Sequence, residues 1–369
     1  MATRFLKAGH RPDYIIIATI VILVAFGLVM LVSASSELGK KNFDDTYYYL
    51  KHQLLYGFLP GLIGFFLCSK IHYRIYQKFA FLFLLASMIV VMLVFSPLGY
   101  RAGGAERWLK VGSIIFQPAE FLKLTFIVYL AAWFSNPQTK RHSALFEGFI
   151  PFLLICTLVL GTLVIQPATS IVVILLGAGL AIYFLGGGKI KFIIAVFFIA
   201  LLGIGVLVYR TPYRLERVKT FLHLNQDTLE QGYHSKEALT AIGSGGIGGV
   251  GFGQSTAKAG RLPAPINDSI FAVIASELGF VGAGALIALF GFLVIRIFLL
   301  AKTMRDNFGR LILVGFGTTI ALQSFVNIGA MTGVLPLTGV PLPFISYGGT
   351  AFAVFLTMSG MIVNISRYT

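Results

Sequence analysis

Apolar residues fall along this chain in long unbroken runs, and the polar and charged residues gather between them. A bilayer core takes about 20 apolar residues per helix. Ten runs read as spans: Tyr14–Val32, Leu54–Cys68, Phe79–Ser96, Phe121–Phe134, Phe149–Ile165, Thr169–Leu185, Phe192–Val208, Ile270–Leu300, Leu311–Met331 and Ala351–Ile365. The fourth is short and the eighth long. The pattern predicts an all-α polytopic membrane protein with about ten transmembrane helices and one large extracytoplasmic loop, about 209–268, before the eighth. No fixed-period repeat or low-complexity tail interrupts residues 1–369, which read as a single transmembrane domain.

Composition strengthens this picture. The chain is 57% hydrophobic and only 12% charged, whereas a soluble domain is about half apolar and about a quarter charged. The first run is long enough to span and has no small-residue cleavage site behind it, so it reads as a span and not as a removed leader. Cys68 and Cys156 both lie inside apolar runs and offer no disulfide framework.

The net charge is +15, and the distribution of Lys and Arg over the loops predicts a topology. Basic residues at the N-terminus (Arg4, Lys7, Arg11), at Lys70/Arg74/Lys78, Lys140/Arg141, Lys189/Lys191 and Lys302/Arg305/Arg310, and at Arg367 outnumber those on the alternate loops. By the positive-inside rule the first set is cytoplasmic, with both termini inside; the basic residues of the long loop carry little weight. Charge scattered over many short loops argues against nucleic acid. It suits anionic lipid heads, or an anionic lipid-linked substrate.

Candidate chemistry gathers on the outer side. The glycine-rich stretch Gly243–Gly253 can cradle phosphate with backbone N–H groups, but it lacks the Lys-Ser/Thr ending of a nucleotide loop. A close-packed re-entrant loop explains it as well. In "GGAERWLKVGSIIFQPAEFLK", Arg107, Trp108 and Lys110 sit on an outer loop. Pro118 would open a helix that carries Glu120 and Lys123 on one face. Those two are either a mutual ion pair that admits the helix to lipid, or polar groups lining a cavity. "IQPATS" is a Pro-marked turn. In "RLPAPINDSIFAVIASELG", Asn267 or Asp268 could cap the following helix, or Asp268 could be a carboxylate held at the membrane surface. Glu277, inside the run, needs a partner or a proton. "TGVLPLTGVPLPFISYGGT" is a rigid non-helical loop ending near Ser346 and Tyr347.

In this order and over almost the whole chain, these segments resemble the SEDS family (FtsW, RodA and SpoVE), membrane glycosyltransferases that polymerise lipid II into peptidoglycan. "GAERWLKVG" with "FQPAEFLK", "AIGSGGIGGVGFGQS", "LPAPINDSIFAVIASELG" and "GVPLPFISYGGT" carry the likeness, and Leu239 with the Pro-Ile-Asn-Asp-Ser loop leans toward FtsW. The resemblance implies Asp268 as the catalytic aspartate. Arg107, Lys123 and Ser346 also fall on family positions and are substrate-binding candidates, with Trp108, Glu120 and Lys258 as further candidates; Arg74 falls on a family position too, but its place on an inner loop predicts a structural or topological role. Two family acids are replaced by Ala168 and Ala264, and Ser276 stands where the family has one glutamate of a pair.

The resemblance further implies a bacterial cytoplasmic membrane location. Its substrates would be lipid II and an undecaprenyl-pyrophosphate-linked glycan, and its partner a class B penicillin-binding protein. A divalent cation such as Mg2+ or Mn2+ is a possible cofactor. Asp268 would serve as general base in an inverting transfer, with Arg107 and Lys123 stabilising pyrophosphate. Two other functions remain compatible with the sequence: a flippase for lipid-linked precursors, and a catalytically weakened scaffold for a transpeptidase.

Overall fold

The computed structural model describes residues 11–102, 105–112, 114–136, 145–166, 168–211, 215, 221, 230–255 and 262–369. Each of the ten apolar runs falls largely within a helix of a polytopic, all-α membrane fold. Helix α1 is Tyr14–Phe43, opened by the Asp13 carboxylate, which accepts from the N–H groups of Ile15 and Ile16. Helix α2 is Tyr48–Lys70. It widens into a π turn at Leu54–Phe58, where the N–H of Leu59 reaches back to the carbonyl of Leu54. Pro60 is the cause: it has no N–H to offer, and its ring crowds the preceding turn.

The remaining helices are α3 (Arg74–Met92), α4 (Pro118–Phe134), α5 (Ile150–Ile165), α6 (Thr169–Leu185), α7 (Ile190–Arg210), α8 (Glu230–Ser244), α9 (Ile270–Thr303), α10 (Asn307–Met331) and α11 (Gly349–Ile365). Among the described residues, eight helices are long and apolar enough to cross a membrane. Helices α4 and α6 have 17 residues each, or about 26 Å at about 1.5 Å per residue. Helices α10 and α11 form the centre, with Leu313, Phe316, Phe355 and Met361 fully enclosed. At the rim, α7 exposes Phe197, Phe198 and Leu202, as expected of a surface that faces lipid.

One segment between helices departs from the sequence reading. The stretch expected as a loop before α4 is a three-stranded antiparallel sheet, β1 (Gly99–Ala102), β2 (Ala105–Val111) and β3 (Ile114–Phe116), in the order β1-β2-β3. Tyr100 faces Trp108 across the first pair, and Lys110 lies 5.6 Å from the centre of the Tyr100 ring. The alternation is too short to stand out beside runs of helix length.

A second departure is a break in α9. Gly279 has φ 66° and ψ −166° and interrupts the helix. The glycine-rich loop docks on the break. Val250 and Gly251 donate to the carbonyls of Ser276 and Glu277, and Phe280 and Val281 donate to those of Gly246 and Ile247. Backbone groups freed by the break are thus satisfied by the loop. Close approach requires small residues: a Cβ on Gly245 would stand 2.1 Å from the carbonyl oxygen of Ala275. Close packing accounts for Gly245 and Gly249, and positive φ for Gly246, Gly251 and Gly253.

Ion pairs close the opposite end of the bundle, where Arg74 meets Asp306 at 2.9 Å and Arg296 meets Asp13 at 2.8 Å. Asp306 also caps α10 by accepting from Gly309. Arg74 is thus engaged in an ion pair at this end.

Candidate functional site

The stretch Leu262–Ser269 enters α9 as a series of bends and turns. Ala264 adopts a left-handed φ of 47°, and its carbonyl accepts from Asn267. Ser269 occupies the N-cap position and makes no side-chain capping bond. Its hydroxyl donates to the carbonyl of Pro263 at 2.9 Å and lies 2.7 Å from Nε2 of His234 on α8. Neither Asn267 nor Asp268 is the cap. Asp268 is half-buried and Asn267 exposed. The Asp268 carboxylate faces the loop between α10 and α11, where a Cβ on Gly339 would be 3.8 Å from Oδ2.

That last loop is braced from several sides. The Ser346 hydroxyl accepts from the N–H of Leu342 at 2.8 Å, while Ser346 N–H donates back to the Leu342 carbonyl. Tyr347 N–H donates to the carbonyl of Ile266, two residues before Asp268, and its phenol pairs with Nδ1 of His52 at 2.9 Å. Gly348 N–H donates to Oε1 of Gln53. Ser346 is therefore engaged in holding the loop's own turn, and Tyr347 ties the loop to the Asp268 segment.

Glu120 and Lys123 lie one turn apart at the start of α4, and both are buried. Lys123 Nζ is 2.7 Å from Oε2 of Glu120 and donates to Oε1 of Gln323 at 2.7 Å. The Phe355 ring centre lies 5.1 Å away. An ammonium group at this depth is tolerable only with such partners. Of the two sequence readings, the mutual ion pair is the geometry present, and it leaves little uncompensated charge at Lys123. Arg107 and Trp108 are half-buried on β2, which the sheet holds beside the start of α4. The Gln117 N–H donates to the hydroxyl of Thr350, tying that start to α11. Lys258 lies outside the described residues.

Two polar residues passed over in the sequence complete the site. Gln323 and Asn327 are one turn apart on α10, both buried. Asn327 Nδ2 donates to the carbonyls of Asp268 (2.8 Å) and Val340 (2.7 Å). Gln323 Nε2 donates to the carbonyl of Pro341 at 2.9 Å while its Oε1 accepts from Lys123. The signal was legible: two amides four residues apart inside an apolar run imply a polar seam along one helix face.

Glu277, the other acid of the region, is buried, and its two oxygens lie 2.7 and 2.6 Å from the Ser33 hydroxyl on α1. It has the partner its depth requires. Ala168 sits at the N-cap of α6 without a side-chain cap, a position where an acid would be able to cap the helix. Among the described residues no group of three or more His, Cys, Asp or Glu could hold a metal ion.

Comparison with known proteins places this geometry. The family model FtsW/RodA/SpoVE, described as a cell cycle protein, matches residues 13–369. The stage V sporulation protein E of Bacillus subtilis is 34% identical over 97% of this chain and 98% of its own length. A probable peptidoglycan glycosyltransferase FtsW of Trichlorobacter lovleyi is 35% identical, covering 96% and 93%. Among solved structures, a chain from a peptidoglycan synthase complex that coordinates polymerization and crosslinking superposes with a TM-score of 0.79 at 28% identity, covering 96% and 98%. The Thermus thermophilus rod shape determining protein RodA superposes with a TM-score of 0.69 at 26% identity, covering 96% and 97%.

Proposed function

The chain belongs to the FtsW/RodA/SpoVE family of cell cycle proteins, and from that membership we infer that it is a peptidoglycan glycosyltransferase serving cell division or cell shape. Relatives that cover nearly their whole length against this chain carry that activity in their names. The chain is a multi-pass membrane protein. The finer reading places it in the bacterial cytoplasmic membrane with both termini inside and Asp268 on the outer side. Lipid II is the acceptor, and a glycan on undecaprenyl pyrophosphate is the donor. A class B penicillin-binding protein is the partner, consistent with the synthase complex that the fold resembles.

The reaction is a single displacement. The Asp268 carboxylate takes the proton of the acceptor sugar hydroxyl, the oxygen forms a bond to the donor's anomeric carbon, and the bond from that carbon to pyrophosphate breaks with inversion. The observation that carries this reading is the placement of Asp268. It is not the cap of α9, and its carboxylate is turned toward the last loop at Gly339. A capping carboxylate would be a poorer base, because bonds to N–H groups favour its charged form. Positioned bases contribute about 10²–10⁴-fold. Arg107 supplies positive charge to the departing pyrophosphate, and Lys123, paired with Glu120, forms a fixed polar floor.

The test is polymerisation of purified lipid II in detergent, with the partner present, by the wild type and by Asp268→Asn. Glycan product from the wild type without two compartments separates an enzyme from a flippase, and its loss in a folded Asp268→Asn supports the base. Wild-type rates from Asp268→Asn would overturn that assignment. An inactive wild type beside an active relative would favour the scaffold reading.

A further inference from the structure

Two amides on α10 join the two charged parts of the site, and nothing in the reaction itself calls for them. Asn327 uses both hydrogens of its amide: one holds the backbone carbonyl of Asp268, the other that of Val340, next to the Gly339 that the Asp268 carboxylate faces. One turn earlier, Gln323 holds the carbonyl of Pro341, the next residue along the same loop, and receives Lys123 on its oxygen. An unbroken path therefore runs from Asp268 through Asn327 to Val340–Pro341, and on through Gln323 to the Lys123–Glu120 pair. Every link is 2.9 Å or shorter and made by a buried donor.

We propose that Gln323 and Asn327 are positioning residues, which set the Asp268 carboxylate in register with the last loop and with the buried Lys123–Glu120 pair. The proposal rests on Asp268 being the base. The physical ground is that a primary amide is the one uncharged side chain with two donors and an acceptor fixed in a plane. It can bridge two carbonyls, or a carbonyl and an ammonium, in one geometry. Placed on the central helix of the bundle, such amides hold a flexible entry segment and a proline-rich loop on one rigid element, as precise catalysis demands. Pro341 and Pro343 cannot donate to a neighbouring strand, so the carbonyl side is where this loop can be gripped.

Thr319, one turn before Gln323 on the same face, provides the internal control. It is equally buried, but its hydroxyl makes only the ordinary helical bond to the carbonyl of Gly315.

The experiment uses the full-length chain with its partner. It compares Asn327→Ala, Gln323→Met, Gln323→Glu, Thr319→Val and Asp268→Asn in lipid II polymerisation, and measures the rise in melting temperature that lipid II produces in each. The expected result is a 10- to 100-fold fall in kcat for Asn327→Ala and Gln323→Met, with the full lipid II-induced shift retained and KM changed less than about 3-fold. Gln323→Glu keeps an acceptor for Lys123 but sets a carboxylate oxygen against the Pro341 carbonyl and adds a buried charge beside Glu120, so it should lose kcat at least as far as Gln323→Met. Thr319→Val should match the wild type.

Wild-type kcat in both Asn327→Ala and Gln323→Met would overturn the proposal. So would a fall in kcat matched by an equal fall in the fraction of protein that lipid II shifts, since that marks a structural defect alone. Activity in Asp268→Asn would instead overturn the base assignment, so the two failures are told apart.

Discussion

A Cβ on Gly249 would stand 2.1 Å from the carbonyl oxygen of Glu277, so the glycine-rich loop and the broken helix α9 touch backbone to backbone. Gly249 also has φ +83°, a region that costs other residues about 1–2 kcal/mol. Gly249→Ala should therefore lose more than that conformational cost and show a lowered melting temperature and yield. Gly243→Ala, where a Cβ meets nothing within 4 Å, should be neutral or slightly stabilising, because alanine is the better helix former by about 1 kcal/mol. Equal melting temperatures for the two variants would contradict the docking of this loop.

The bond between Ser33 and Glu277 should be measurable as a coupling. A buried hydrogen bond contributes about 0.5–3 kcal/mol, depending on the charge of its partners. Ser33→Ala is expected to destabilise the wild type clearly, and to cost at least about 1 kcal/mol less when Glu277 is already leucine. A double-mutant cycle on thermal or denaturant unfolding reads that difference. Additive effects would mean that the two side chains do not act on each other.

At the far end of the bundle Asp306 has two tasks, the ion pair with Arg74 and the cap of α10. Asp306→Asn can still cap but loses the charge, whereas Asp306→Ala loses both. The alanine variant should be less stable than the asparagine variant by about 1 kcal/mol, the usual worth of a cap. Arg74→Ala should lower stability while leaving turnover per folded molecule unchanged, because the pair lies away from Asp268. A loss of kcat in well-folded Arg74→Ala would give this arginine a functional role.

What the sequence disclosed and what it hid have physical reasons. Spans were legible because the bilayer imposes a length on every apolar run, and each of the ten runs falls largely in a helix. The break at Gly279 was not, since an isolated glycine in an apolar run reads the same whether it is helical or at φ 66°; only the docked loop gives it meaning. The sheet at 99–116 was missed because its strands are three to seven residues long and carry no clean alternation. Asp268 was legible only as one of two roles, cap or base. Ser269 in the capping position removes the first. Gln323 and Asn327 were overlooked because neutral amides carry no charge signal, although in lipid an amide without partners is costly.

The last prediction concerns alkaline pH. Burial, and then the neighbouring phenols of Tyr48 and Tyr49, hold the Tyr347 phenol well above its ordinary range. A phenol in the unfolded chain loses its proton near about 10. Between that value and the raised folded value, the unfolded state binds fewer protons than the folded one, so stability falls as pH rises. The contribution is fully present below pH about 10 and is lost above it. Tyr347→Phe lacks that proton altogether. At pH 8 it should be less stable than the wild type by about 0.5–1.5 kcal/mol, the net worth of the bond to His52. At pH 11 the wild type has begun to lose its advantage, and the gap should narrow. Melting temperatures of both proteins from pH 7 to 11 test this, and the difference between them removes the shared effect of the other tyrosines. A gap that stays constant across the range would mean that the Tyr347 proton is not held by the fold.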